Sequence, residues 1–145
     1  MMFMKIARAS IEGVDASYKD LVEIASFIRY KTLVQARELL EQVIRGERYV
    51  PYRRYNKKMG HRKHGEKGRY PKKEAKIMLK LLNSCAANAR QAGMDENNLK
   101  IIHVAANKKA IYYRIQPKGK PFRQRYVLSR AEIILGEIDA KGAKD

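Results

Sequence analysis

His61, His64 and Glu66 are the residues whose types most invite chemistry, since imidazoles three apart beside a carboxylate can hold a divalent metal or serve a nuclease. They stand among lysines and arginines whose field opposes a second cation, and no second cluster supports them, so the sequence predicts no metal site there. On this reading they are basic-loop histidines that hydrogen-bond the loop's partner. His103 falls in an alternating apolar stretch and reads as a structural donor. Cys85 is the single cysteine, which excludes a disulfide framework and a thiolate metal site. It lies in an apolar helical stripe and reads as a small core residue in a reducing compartment. No paired carboxylates, glycine-rich phosphate loop or Ser/His/Asp set is singled out by spacing, so no catalytic activity, cofactor or metal is predicted.

The chemistry that is present is cationic. The chain carries 32 Lys/Arg against 15 Asp/Glu, a net charge of +17. Arg45 to Lys73 holds twelve Lys/Arg and two Glu, and Lys108 to Arg125 holds seven Lys/Arg with no acid. These two segments supply the whole surplus, and the remaining 13 basic and 13 acidic residues make a balanced surface. Like charges crowded without local acids repel one another in a compact state, so both segments call for a polyanion.

In the first segment Tyr49, Tyr52, Tyr55 and Tyr70 interleave with Arg48, Arg53, Arg54, Lys57, Lys58, Arg62, Lys63, Lys67 and Arg69. Phenol and guanidinium faces stack on unpaired bases while cations meet phosphates, which is the composition of an RNA-binding loop. The second segment is bracketed by strand-like stretches and interrupted by Gln116-Pro-Lys-Gly-Lys-Pro-Phe122, whose prolines and glycine suit a turn. It reads as a β-hairpin whose base belongs to the body and whose shaft and tip enter nucleic acid.

Several elements must position these segments. Phe3 to Ser10 alternates as a short strand predicted to pair with the hairpin base, and Ile11 to Ala16 reads as a turn. Ser17 with Asp20 caps a helix over 17–29 that buries Leu21, Ile24, Ala25 and Ile28. Thr32 with Gln35 caps a second over 33–45, with Leu33, Ala36, Leu40, Val43 and Ile44 inward and Gly46 at its stop. Glu47 to Tyr70 shows no period and reads as a structureless loop that orders on its partner. Pro71 opens a long helix ending before Gly93, with Ala75, Met78, Leu79, Leu82, Cys85, Ala86 and Ala89 as its stripe. Its Lys72, Lys73, Lys76, Lys80 and Arg90 either meet nucleic acid or are simply solvated. From Leu99 to Glu137 runs the hairpin, with Ile102, Val104 and Ala106 alternating with Ile101, His103 and Ala105 in its first strand and Val127, Ala131, Ile133 and Leu135 as the apolar set of the returning strand. At about 3.3 Å per residue its sixteen or so residues per strand span roughly 50 Å, and its outer half is predicted to order only when embedded. Ala140 to Asp145 reads as a frayed tail. No apolar run reaches membrane-spanning length and the start lacks a signal-peptide core, which predicts a soluble intracellular protein. The predicted fold is α+β: one domain over 1–145, three helices packed on a small antiparallel sheet, with a basic insert at 46–70 and a long β-hairpin at 99–137.

Four blocks carry a resemblance. Gly68-Arg-Tyr-Pro-Lys-Lys-Glu-Ala75, Asn83-Ser-Cys-Ala-Ala-Asn-Ala-Arg90, Leu99-Lys-Ile-Ile-His-Val-Ala-Ala-Asn-Lys108 and Arg114-Ile-Gln-Pro-Lys118, in this order, resemble the universal large-subunit ribosomal protein family with ordinal twenty-two. The likeness covers about residues 3–137, and the basic insert resembles the archaeal and eukaryotic branch. It implies a cytoplasmic constituent of the large ribosomal subunit, present as a monomer among neighbouring ribosomal proteins and away from any membrane. The body would lie near the mouth of the nascent-chain tunnel and the hairpin would run through ribosomal RNA to help line the tunnel wall. Carried over, Arg114, Gln116, Pro117, Lys118, Gly119, Lys120 and Arg123 would approach the lumen and the nascent polypeptide. Lys108, Lys109 and Arg125 would meet RNA phosphates along the shaft, and the basic insert from Arg48 to Tyr70 would bind RNA as well. The tip departs from the family's usual pattern by reading Pro117-Lys-Gly-Lys-Pro-Phe-Arg123, and the first helix by opening Asp15-Ala-Ser-Tyr-Lys-Asp20.

A rival from another class is an architectural DNA-binding protein whose β-ribbon arm wedges Pro117 and Pro121 into the minor groove. Such proteins pair two arms by dimerising, so a light-scattering mass separates the two: a stable dimer for DNA, a monomer for the ribosome.

Overall fold

A computed structural model describes residues 5–138. The expected positions of Phe3 and Met4 and of the tail from Ala140 lie outside these residues. The elements run β1 (Ile6–Val14), α1 (Tyr18–Ile28), α2 (Leu33–Arg45), β2 (Val50–Pro51), β3 (Gly68–Arg69), α3 (Lys72–Gln91), a 3-10 turn (Glu96–Asn98), β4 (Leu99–Ile115) and β5 (Arg123–Glu137). β1, β5 and β4 form one antiparallel sheet in that order, with β5 in the middle. The three helices and this sheet make the α+β body, and the β4–β5 hairpin runs out of it.

The helices form where their stripes predict. Leu21, Ile24, Ala25 and Ile28 of α1 and Leu33, Ala36, Leu40 and Val43 of α2 are all buried, while Ile44, expected inward, is only half-buried at the edge of the core. Ser17 caps α1 by accepting Asp20 N–H, and Thr32 and Gln35 close a reciprocal capping box on α2. Gly46 ends α2 in the left-handed region, φ +83°, where a Cβ would be strained. α3 buries Met78, Leu82, Cys85, Ala86 and Ala89, with Leu81 fully inside while Leu79 is only half-buried. The Cys85 thiol lies under the sheet, 3.4 Å from the Ala7 carbonyl, and burial pushes its pKa up. Each fully buried Leu or Ile stabilises this core by roughly 1.5–3 kcal/mol.

Three readings of the sequence are corrected. β1 does not turn at Ile11: it continues to Val14 through a bulge, with Gly13 at φ +67°, and pairs Val14 with Ser129. In β4 a register shift between Ile101 and His103 lets Ile101 and Val104, an odd number of residues apart, both point inward. In β5 the inward set is Ser129, Ala131, Ile133 and Leu135, while Val127 is half-buried; Ser129 satisfies its hydroxyl by donating to the Ala16 carbonyl at 2.6 Å.

The sheet is three-stranded only as far as Val14. Beyond a second register shift, between Lys108 and Ala110, β4 and β5 continue alone as six ladder pairs from Ala110↔Leu128 to Ile115↔Arg123. That free ribbon extends about 20 Å before the tip.

Candidate nucleic-acid interface

The basic insert is not the structureless loop its composition predicts. Its ends pair as β2–β3, and Tyr52 N–H donates to the Lys67 carbonyl at 2.8 Å. The anchor is Glu23 of α1, only 2% exposed. Its carboxylate accepts the backbone N–H groups of Arg53, Arg54 and Tyr55 at 3.1, 2.9 and 2.8 Å. A buried carboxylate without partners would be costly, and three converging amides satisfy it. Tyr52 is buried beside it and donates its hydroxyl to Asp20 at 2.6 Å. Burial, reinforced by Asp20, pushes the Tyr52 phenol up and keeps it a donor.

At the far end of the insert Tyr49 lies across Gly65 and Gly68, where a side chain on either glycine would strike it, and its hydroxyl accepts Glu66 N–H at 3.2 Å. Arg62 donates Nε to the Gly68 carbonyl at 2.8 Å and sits 5.0 Å over the Tyr70 ring. Arg62 and Tyr70, expected on RNA, are therefore partly engaged in the loop's own fold. His61 pairs with Lys67 in an isolated bridge, and among the described residues no three His, Cys, Asp or Glu side chains converge as metal ligands.

The other expected cations of the insert stand outward. Arg54, Lys57, Lys58, Lys63, Lys67 and Arg69 are exposed. Arg54, Lys57 and Arg69 line one cleft with Lys19 and Tyr55. Arg48 and Arg53 line another with Arg29 and Lys31, Arg48 lying 5.6 Å over Phe27 and Arg53 3.8 Å from Glu66. Of the lysines on the outer face of α3, Lys73 pairs with Asp15 at 3.5 Å.

The hairpin divides into root and arm. At the root Lys109 bonds Glu12, whose other oxygen lies 3.4 Å from Arg130 Nε, and Lys108 sits 4.7 Å over the Tyr18 ring. Lys109 holds the Glu12 carboxyl below the usual carboxylate range, and the Tyr126 hydroxyl, with Lys73, does the same to Asp15. Lys108 and Lys109, expected on RNA phosphates, thus fix where the ribbon leaves the body. Beyond them every residue from Ile111 to Tyr126 is exposed, including Arg114, Gln116, Pro117, Lys118, Gly119, Lys120, Arg123 and Arg125. Gln116 N–H donates to the Phe122 carbonyl at 3.0 Å to close the tip, with Gly119 at φ +79°.

Sequence reasoning passed over two sets of residues. Counting charge hid the arm's apolar side chains: Tyr112 and Tyr113 are 58% and 59% exposed, with Ile111, Ile115, Phe122 and Tyr126 bare beside them. Tyr112 faces Tyr126 across the ladder, and Tyr113 faces Arg125 with Arg123 5.9 Å from its ring. Exposed rings among cations on a ribbon present stacking surfaces as well as charge. Glu23 was the other omission, and its signal was a carboxylate placed between Leu21 and Ile24 on a helix face that is otherwise apolar.

No helix among the described residues is long and apolar enough to cross a membrane. A family model described as ribosomal protein L22p/L17e matches residues 9–135. The chain is 39% identical over 142 residues to large ribosomal subunit protein uL22 of Sulfolobus acidocaldarius, covering 92% of this chain and 91% of that one. It is 42% identical over 118 residues to the uL22 of Archaeoglobus fulgidus, covering 79% and 76%, and 39% identical over 138 residues to that of Methanosphaera stadtmanae, covering 92% and 90%. With the match running from the first strand through the arm and back to the base of the hairpin, the chain belongs to the ribosomal protein L22p/L17e family, in its archaeal type.

Proposed function

We propose that this chain is a structural constituent of the large ribosomal subunit that binds ribosomal RNA and extends its β4–β5 arm along the nascent-polypeptide exit tunnel. The observation that carries this reading is the arm itself, an exposed ribbon whose Lys/Arg residues from Arg114 to Arg125 have no acid among them. Only a polyanion offsets such a surface, and the relatives are named as large-subunit proteins. In this reading the arm cations Arg114, Lys118, Lys120, Arg123 and Arg125 neutralise phosphates, and Tyr112, Tyr113 and Tyr126 stack on bases displaced from pairing. The tip Gln116–Phe122 approaches the tunnel lumen and meets the passing polypeptide. The insert forms a second contact through its outward cations, and the balanced surface of the body meets neighbouring ribosomal proteins. The protein works by shape and charge in the cytoplasmic ribosome, as a single copy and without catalysis.

Sucrose-gradient sedimentation after a high-salt wash tests this assignment. The chain is expected to remain with large subunits, and to be lost from them when residues 110–128 are replaced by a short turn. Recovery only at the top of the gradient, with the arm intact, would overturn it.

A further inference from the structure

We propose that the cleft between the start of α1 and the basic insert takes one unpaired nucleotide, its base stacked on Tyr55, its phosphate among Arg54, Lys57 and Arg69, and its base edge read by Asp20. This deepens the ribosomal RNA reading and rests on it. The cleft is half open and about 580 Å³ in volume, within the usual size range of small-molecule sites. Its ring is held in advance: Tyr18 meets Tyr55 edge-on at 5.9 Å and 83°, and Glu23 holds the Tyr55 backbone N–H at 2.8 Å. Lys19 and Arg54 stand 5.7 and 5.5 Å from the Tyr55 ring centroid on exposed, flexible side chains that can give way to a base.

Asp20 distinguishes this cleft from the arm. Among the lining cations it is the one acid, and a carboxylate repels phosphate, so its place is against the base. Oδ1 accepts the Tyr52 hydroxyl at 2.6 Å, while Oδ2 has no protein hydrogen bond among the described residues. An ionised carboxylate only accepts, so it favours a base edge made of N–H donors. Guanine presents two such donors side by side, its ring N–H and its amine, whereas uracil presents one between two carbonyls. The arm contains no acid between Lys108 and Arg125 and meets phosphate without reading; this cleft combines a fixed ring, cations and an oriented acceptor.

The test is a titration of the 145-residue chain, with isotope-labelled tyrosine rings, by 5′-GMP, 5′-UMP and inorganic phosphate in turn. GMP is expected to shift the Tyr55 ring resonances saturably, UMP to do so several-fold more weakly, and phosphate to leave them unmoved. Asp20→Asn, which turns a donor toward the base, is expected to remove the preference for GMP. In binding to large-subunit ribosomal RNA, Tyr55→Leu is expected to lose about 5- to 150-fold in affinity with the salt slope unchanged. Tyr55→Phe, which keeps the ring, should bind as the wild type does and controls for folding. Equal shifts from phosphate and GMP, or wild-type RNA affinity in Tyr55→Leu, would overturn the nucleotide site. If the wild-type chain itself fails to bind the RNA, the ribosomal reading falls instead, and the GMP titration still decides the cleft.

Discussion

Glu23 on α1 holds the backbone N–H of Tyr55 at 2.8 Å although 32 residues of chain separate them. With its bonds to Arg53 and Arg54 N–H, this one carboxylate ties the basic insert to the helical body. Removing it frees those amides together. Glu23→Ala is therefore expected to raise hydrogen–deuterium exchange at Arg53, Arg54 and Tyr55 while α3 keeps its protection. The global loss should be about 1.5–3 kcal/mol by urea titration, the scale of a hydrogen bond to a charged group, because the released amides regain water.

Gly68 is a second fixed point of the insert. A Cβ there would lie 2.5 Å from both the Val50 carbonyl oxygen and the Tyr49 ring, and the backbone oxygen cannot swing aside. Gly68→Ala is expected to cost about 1–3 kcal/mol, the usual penalty of overpacking, read as a lowered urea midpoint at unchanged slope. Gly119, with nothing within 4 Å of its Cβ position, lies on the arm away from the core.

The root of the arm is held by acids whose charge matters. Lys109 depresses the Glu12 pKa, and Tyr126 with Lys73 depresses that of Asp15. A depressed folded-state pKa means that the unfolded chain binds the proton more readily, so the contribution is present above the ordinary value and lost as pH falls through the depressed one. For Glu12 the loss begins as pH falls below 4.5 and is complete only below its depressed value. Acidification through this window is expected to release the Lys109 contact, followed by NMR at the Lys109 Nζ protons, while core resonances such as those of Leu82 stay in place. Glu12→Gln should abolish that pH response.

Lys109 and Arg125 separate two roles that composition alone gives equally to every cation. Lys109 is already bonded to Glu12, whereas Arg125 stands exposed on the free ribbon. Arg125→Ala is expected to make the log-log salt slope of RNA binding shallower by about 0.7–0.9, the share of one phosphate contact. Lys109→Ala should change that slope by roughly half as much or less, since RNA contact there competes with the Glu12 bond.

Much of this architecture was legible in local pattern. The stripe Leu21, Ile24, Ala25, Ile28 and the box of Thr32 with Gln35 locate two helices because side-chain periodicity and end-capping are properties of neighbouring residues. The hairpin and its tip were legible from alternation ending at Gln116. The bulges at Gly13 and after Ile101 were not, since an inserted residue shifts register without changing composition. Nor was the insert's anchorage, because a carboxylate meeting distant backbone amides leaves no periodic trace. The same holds for Lys108 and Lys109: their charge was visible, but Tyr18 and Glu12, which occupy them, are brought near only by the fold.

The central claim is that the cationic surplus on the insert and arm is matched to RNA phosphates. The salt dependence of binding between the purified chain and its cognate ribosomal RNA domain tests it most directly. About ten displaced counterions predict a log-log slope near −7 to −9. A slope shallower than about −3, with the protein folded and binding, would contradict it.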